Sequence, residues 1–220
     1  MTPPRDEDEL MTRARALAGL RVGELARRLE QWVSADPRKS KGVAGQLAER
    51  ALGATAGSLD EPDFLELGIE LKTLPVAESG APKESTYVCT LPLQTLHDVD
   101  FEDSAVFRKL RRVLWLPIEA ASERPLVERH YGSAFLWSPS PDELEVLRAD
   151  YEAVAEKVIS GRVEEVRGDL GVALQVRPKA ANGRQRTLAP DGDEGFVWTG
   201  PRGFYLRPSF TGALLARAFG

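Results

Sequence analysis

The stretch whose residue types could do chemistry is Pro62-Asp63, six further residues, and then Glu70-Leu71-Lys72. Leu67, Ile69, Leu71 and Thr73 alternate with Gly68, Glu70 and Lys72, the two-residue repeat of a β-strand over 67 to 73, which Pro75 is expected to close. On such a strand the carboxylate of Glu70 and the ammonium of Lys72 share one face, while Ile69 and Leu71 turn the other way into packing. Asp63, just ahead of the strand, can fold back beside Glu70. Two neighbouring carboxylates repel each other and are held most naturally by a divalent cation. Mg²⁺ bound through one or two carboxylates and several waters takes its remaining ligands from phosphate oxygens. The lysine one pleat away can then orient or deprotonate a water, or stabilise charge on a phosphodiester under attack. An Asp, a Glu and a Lys also occur together on ordinary solvated faces, and spacing alone does not separate the two readings.

The elements that must position these residues follow from hydrophobic period and punctuation. Residues 1 to 7 are polar, contain a Pro-Pro pair and are expected to be a frayed, disordered end. Apolar residues recur at spacings of three and four from Leu10 to Leu29, predicting two helices with a break at Gly19. After the basic turn 36 to 42, a third helix is predicted over 43 to 52 with Gly53 as its stop. Strands are predicted at 85 to 91, 109 to 118, 124 to 137, 171 to 177 and 203 to 207. A long helix over 141 to 160, capped by Ser140 and ended by Gly161, interrupts them; 183 to 195 reads as a polar turn, and a last helix covers 209 to 219. This order predicts an α/β (α+β) fold, a mixed β-sheet flanked by helices in one compact unit.

Composition narrows the function classes. At 220 residues, 42% apolar and 29% charged, one large globular domain is expected, with two smaller ones as the alternative. A net charge of -5 argues against a generally basic nucleic-acid-coating protein and leaves room for a local basic face. One cysteine, Cys89, and two histidines disfavour zinc, so any metal should be oxygen-bound. The opening MTPPRDEDEL lacks the features of a signal peptide, and no apolar run approaches the roughly 20 residues that span a bilayer, so a cytoplasmic protein with no membrane partner is expected.

Three further segments carry cations. RKLRR at 108 to 112 places four cations in five positions at the start of a predicted strand, which an ordinary charged edge strand would also do. RPKAAN at 177 to 182 and PRGFYLR at 201 to 207 combine cations with an aromatic and a glycine, as loops that read DNA often do, although common turn and strand junctions look the same. Together with KGVAGQLAERALGATAGS at 41 to 58, PDFLELGIELKTLPV at 62 to 76, STYVCTLPL at 85 to 93, RKLRRVLWLPIE at 108 to 119, LQVRPKAAN at 174 to 182 and PRGFYLRPSFTGALLARAF at 201 to 219, these segments run in order along nearly the whole chain. In that order the sequence resembles the MutH family of DNA mismatch-repair endonucleases, strand-nicking enzymes that act with the MutL and MutS proteins.

The resemblance implies a restriction-endonuclease-like fold, a single MutH-like endonuclease domain over 1 to 220 and a two-lobed architecture with a DNA cleft between the lobes. It implies that Asp63 and Glu70 bind Mg²⁺, with Mn²⁺ able to substitute, and that Lys72 positions the attacking water. Glu49 matches a helical acidic residue that organises the metal and its waters, and Lys109 matches a second active-site lysine. Lys41 matches a loop residue near the DNA backbone, and Arg177, Pro178 and Lys179 match a base-reading loop. Tyr205 matches the tyrosine that senses adenine methylation, and Tyr87 stands where the family pattern has a phenylalanine that contacts DNA. The implied reaction is hydrolysis 5′ to the G of GATC, on the unmethylated strand of hemimethylated double-stranded DNA. A monomer with one Asp-Glu-Lys set cuts one strand at a time. The alternatives are a type II restriction endonuclease cutting GATC and a non-catalytic DNA-binding protein.

Charge distribution adds an expectation about orientation. Residues 140 to 169 hold nine acids against four bases, an imbalance equal to that of the whole chain, whereas 171 to 220 hold seven bases against three acids. The acidic helical segment is therefore expected to face away from DNA.

Overall fold

The computed structural model describes residues 1–34, 36, 40, 42–57, 60–121, 123–179, 184–192 and 195–220. Among them the elements run in chain order as α1 (Glu7–Arg15), α2 (Val22–Arg28), α3 (Val43–Leu52), β1 (Glu70–Val76), β2 (Thr86–Thr90), α4 (Ala105–Leu110), β3 (Val113–Glu119) and β4 (Phe135–Trp137). They continue as α5 (Pro141–Ile159), β5 (Leu174–Pro178), β6 (Thr187–Pro190), β7 (Phe196–Thr199), β8 (Arg202–Leu206) and α6 (Pro208–Phe219). The chain divides into two compact units, one of Met1–Glu84, Arg111–Ser138 and Leu215–Gly220, the other of Ser85–Leu110 and Pro139–Leu214.

In the first unit β1 and β3 pair in parallel and β4 runs antiparallel to β3. A parallel pair needs a long crossover, and here the chain leaves after β1, builds β2 and α4 in the other unit, and returns at Arg111. Leu71, Leu114, Leu116 and Ile118 join Leu10, Ala14, Leu25, Leu47, Ala48 and Leu52 of the first three helices in one buried cluster. The apolar half of the alternation thus packs under the helices, which leaves Glu70 and Lys72 on the opposite face. Gly53 ends α3 in a left-handed conformation at φ 86°, as its position after the helix predicts.

The second unit is built on the antiparallel sheet β2-β8-β5. Ser140 and Glu143 form a capping box at the start of α5 with Pro141 in the first turn. From α5, Tyr151 stacks on Phe204 of β8 at 5.6 Å between centroids, and Asp150 accepts the amides of Val172, Ala173 and Leu174 at 2.7 to 2.8 Å. These contacts set where β5 begins.

Several expectations are corrected. Among the described residues the strands form three small sheets, of which β1-β3-β4 is mixed and the third is the hairpin β6-β7, whose first strand lies inside the segment 183 to 195 read as a polar turn. Thr187, Leu188 and Phe196 to Thr199 are β-formers that flank Asp191-Gly192, with Gly192 at φ 75° in the turn. The strand predicted at 109 to 118 starts at Val113, and Lys109 lies on the helix α4. Val106 and Leu110, four residues apart and buried, give α4 its apolar side, and Ser104 Oγ receives the Phe107 amide at its start; the clustered cations mask this pattern. The predicted strand 124 to 137 keeps only its last three residues, because Pro125 introduces a 3₁₀ turn at Leu126–Glu128. Pro75 does not close β1, which runs on to Val76; Pro75 O accepts the Lys83 amide on the open edge, so its missing N–H lies away from β3. The amino-terminal residues are tied down: Thr2 O accepts Arg13 Nη1 at 2.7 Å, Pro4 is buried, and Asp6 caps α1. No helix among the described residues is long and apolar enough to cross a membrane.

Candidate active site

The geometry around Asp63 begins with a turn. Leu65–Leu67 form a 3₁₀ turn closed by Gly68 in a left-handed conformation, φ 63°. Phe64 and Ile69 exchange backbone hydrogen bonds across it, at 2.9 and 3.3 Å. The turn folds Asp63 back beside the start of β1, where its Oδ2 accepts the Leu71 amide at 2.8 Å. Its main-chain carbonyl accepts the amides of Thr55 and Ala56, just beyond the end of α3. Asp63 is therefore held on both sides by backbone, and only 9% of it is exposed.

Glu70 is 3% exposed and Lys72 8%, and Lys72 Nζ donates to Glu70 Oε1 at 2.6 Å. The alternation of β1 thus puts carboxylate and ammonium in contact. Glu49, half-buried on α3, adds a third acid whose charge acts on Asp63. Burial above all, and then repulsion from Glu70, push the Asp63 carboxyl up to about 7, with Glu49 adding to the rise and the Leu71 amide and Lys72 opposing it. Three acids face one ammonium in a nearly dry place, an arrangement that a divalent cation relieves.

The donor set is oxygen only, which suits Mg²⁺ held by one or two carboxylates and otherwise by water and phosphate. A preformed cage is a different arrangement, and no group of three or more His, Cys, Asp or Glu side chains converges on a metal position among the described residues.

The second unit gathers another set. Tyr87 on β2 and Tyr205 on β8 are cross-strand partners with ring centroids 5.3 Å apart, edge to face. Arg177, at the exposed end of β5, lies 5.8 Å from the centre of the Tyr205 ring and donates to Ser85 Oγ at 3.3 Å. Gln175 donates to the same oxygen at 2.6 Å. Pro178 ends β5 and pairs with Arg202, and Lys179, just beyond, lies over the Tyr87 ring at 3.7 Å. Sequence reading missed Ser85, Thr90, Gln175 and Gly203 in this cluster; Ser and Thr on strands are ordinary, and only the pairing of β2, β8 and β5 brings them together.

The structure therefore unites Asp63, Glu70, Lys72 and Glu49 in the first unit, and Tyr87, Arg177, Pro178, Lys179 and Tyr205 in the second. Lys109 belongs to the second unit, buried on α4. Lys41 lies outside the described residues.

A family profile described as DNA mismatch repair enzyme MutH matches residues 52–150, the span from the end of α3 to the middle of α5 that holds Asp63, Glu70 and Lys72. The DNA mismatch repair protein MutH of Shewanella amazonensis is 47% identical over 219 residues, covering 99% of this chain and 97% of its own. The chain belongs to the MutH family. The MutH proteins of Vibrio cholerae and Shewanella baltica are 47% and 44% identical over 98% and 99% of this chain, and each is covered over 98% of its own length. As a MutH-family member the chain is a DNA mismatch-repair endonuclease with a restriction-endonuclease-like fold, an enzyme acting on DNA phosphodiester bonds.

Proposed function

We propose that this MutH-family endonuclease is Mg²⁺-dependent and methyl-directed, nicking the unmethylated strand 5′ to the G of hemimethylated GATC. The observation that carries the reading is the contact of Lys72 with Glu70 beside Asp63, on a strand end sealed from water. Asp63 and Glu70 hold the cation, which when bound supplies Lewis-acid stabilisation of the phosphate under attack; Mn²⁺ would substitute. Lys72, held by its hydrogen bond to Glu70, orients the attacking water with its remaining N–H groups. As the water oxygen bonds to phosphorus and the bond to the leaving oxygen breaks, the water gives up a proton to solvent and the leaving oxygen takes one from it, while the fixed ammonium faces the charge that develops. Glu49 orders solvent around the carboxylates, and Lys109 serves as a second active-site lysine.

Arg177 and Lys179 read base edges, with Pro178 fixing the chain between them. Tyr205 senses the adenine methyl group, and Tyr87 and Lys41 contact DNA. A misplaced contact in a specific DNA interface costs roughly 1 to 3 kcal/mol, and displacement of the scissile phosphate multiplies that effect on rate. The enzyme acts as a monomer in the cytoplasm, activated by MutL and through it by MutS.

Plasmids carrying unmethylated, hemimethylated or fully methylated GATC, incubated with Mg²⁺ with and without MutL, test the reading. Nicking confined to the unmethylated strand is expected. Prompt linearisation would make the protein a restriction enzyme, and binding without cleavage would remove the catalytic assignment. Glu70→Ala should abolish nicking while DNA affinity stays within about threefold, since binding is carried mainly by phosphate contacts elsewhere.

A further inference from the structure

A β-bulge in β2 brings together two hydroxyls that a regular strand would separate. Tyr87 and Thr90 are three residues apart, and period two would place them on opposite faces. The register against β8 shifts between Tyr87 and Cys89, and the two side chains finish close together, Tyr87 Oη and Thr90 Oγ1 3.0 Å apart. Bulges re-aim side chains in this way. Across on β8, Gly203 is the partner of both Thr90 and Arg177. A Cβ there would lie 3.0 Å from the Tyr87 ring and 3.5 Å from Lys179 Cδ. Its absence leaves the slot along which ring and lysine stem run.

Lys179 Nζ sits over that ring, donates to the Tyr87 hydroxyl, and donates to Thr90 Oγ1 at 3.2 Å. An ammonium has three N–H donors. Among the described residues two are taken by hydroxyls of one strand, which leaves the third for an acceptor from outside. Neither hydroxyl carries charge, so the lysine is oriented without being neutralised; a carboxylate in the same place would make an ion pair that DNA would have to break. A lysine at an exposed strand end otherwise carries large rotamer entropy, which binding must remove each time.

The geometry points to Tyr87 and Thr90 as positioning residues whose hydroxyls hold the Lys179 ammonium pre-aimed, so that sequence discrimination by Lys179 depends on them. This rests on the DNA-reading role proposed above for Lys179. It makes Thr90, an exposed strand residue, a determinant of specificity through a residue it does not adjoin in sequence.

The test is a cycle on the full-length enzyme. Wild type, Tyr87→Phe/Thr90→Val, Lys179→Ala and the triple variant are compared by kcat/KM on hemimethylated duplexes with GATC or a site altered at one base. Removing both hydroxyls should lower the GATC preference roughly fivefold, the scale of one net hydrogen bond. In the Lys179→Ala background the same removal should lower the GATC preference no further, even if loss of the Tyr87 hydroxyl lowers kcat/KM at both sites alike, and Thr90→Ser, which keeps the hydroxyl, should retain the preference. An equal loss with or without Lys179 would overturn the inference, as would no loss when Lys179 is intact. The ¹⁵N signal of the Lys179 ammonium in the DNA-free protein reads the cradle directly: slow proton exchange that becomes fast in Tyr87→Phe/Thr90→Val is expected, and identical exchange in both would refute it. If wild type shows no GATC preference, the functional reading fails, and the ammonium signal still decides the cradle.

Discussion

Two buried aspartates, one in each unit, have opposite surroundings. Asp150 is 6% exposed and its carboxylate accepts three amides, those of Val172, Ala173 and Leu174. Asp63 is 9% exposed, accepts one amide, and has Glu70 and Glu49 acting on it. The first is a carboxylate whose charge the fold has already met with donors. The second is one whose charge the fold has left partly unmet and made worse with like charge. A buried acid satisfied by backbone is architecture, and a buried acid crowded by other acids is a place that waits for a cation.

Removing Asp150 should give the largest loss of stability. Asp150→Ala leaves three amides at the start of β5 without their acceptor, and a buried donor left unmade costs about 1 to 3 kcal/mol. A destabilisation on the order of 3 to 5 kcal/mol is expected from chemical unfolding, well above the roughly 1 kcal/mol of an average point substitution. The Arg207 guanidinium, which donates to the carbonyls of Gly168, Leu170 and Gly171 from the other side of the same loop, should not compensate. A loss under about 1 kcal/mol would mean that water replaces the carboxylate readily, and the contrast between the two aspartates would weaken.

Asp63→Asn should do the reverse, abolishing nicking while stabilising the metal-free protein near pH 8. Its carboxyl is pushed up to about 7 from 3.8, so the folded state favours the protonated form. The sign follows: stability is greatest below the unfolded value and is lost as pH rises through the folded one, across about pH 4 to 7. Asparagine stays neutral and can still accept the Leu71 amide. The expected gain is about 1 to 3 kcal/mol, less than the full shift would give because water and side chains relax around a partly open site. Thermal unfolding against pH without metal, and again with Mg²⁺, checks it. Mg²⁺ should raise the melting temperature of wild type and leave that of Asp63→Asn nearly unchanged.

How much of this was legible beforehand differs between the two sites. The alternation around Glu70 and Lys72 is written in adjacent residues, so their shared face could be inferred from period alone, and it is what the structure has. The helix stops at Gly53 and the capping box at Ser140 are equally local. The fold-back of Asp63 onto the Leu71 amide was expected only in outline. The cations and aromatic of 177 to 182 and 201 to 207 stand out by residue type, but their gathering with Tyr87 does not, because it depends on which strands pair and on a bulge that no composition announces. The sequence around Lys109 reads as a strand for a related reason: a run of cations hides the two buried residues, Val106 and Leu110, that make α4 a helix. Local periodicity carries information about faces, whereas strand pairing is settled by long-range packing.

The smallest expected effect on stability tests the turn between Asp63 and β1. Gly68 holds φ 63° between the 3₁₀ turn and β1, and a Cβ there would approach Arg111 Nη2 to 2.6 Å. That neighbour is the end of a flexible side chain and can swing aside, so the strain is mainly that of a left-handed alanine, about 1 to 2 kcal/mol. Gly68→Ala should therefore lower stability by roughly that amount. Its effect on nicking should exceed what the stability change alone would cause, because the same turn carries Asp63 back to β1, and a shift on the order of 1 Å in a catalytic group can cost about a hundredfold in rate. Measuring kcat alongside unfolding separates the two. Lost stability with unchanged kcat would mean that the backbone bonds from Thr55 and Ala56, not the turn, fix Asp63, so that its position is inherited from α3.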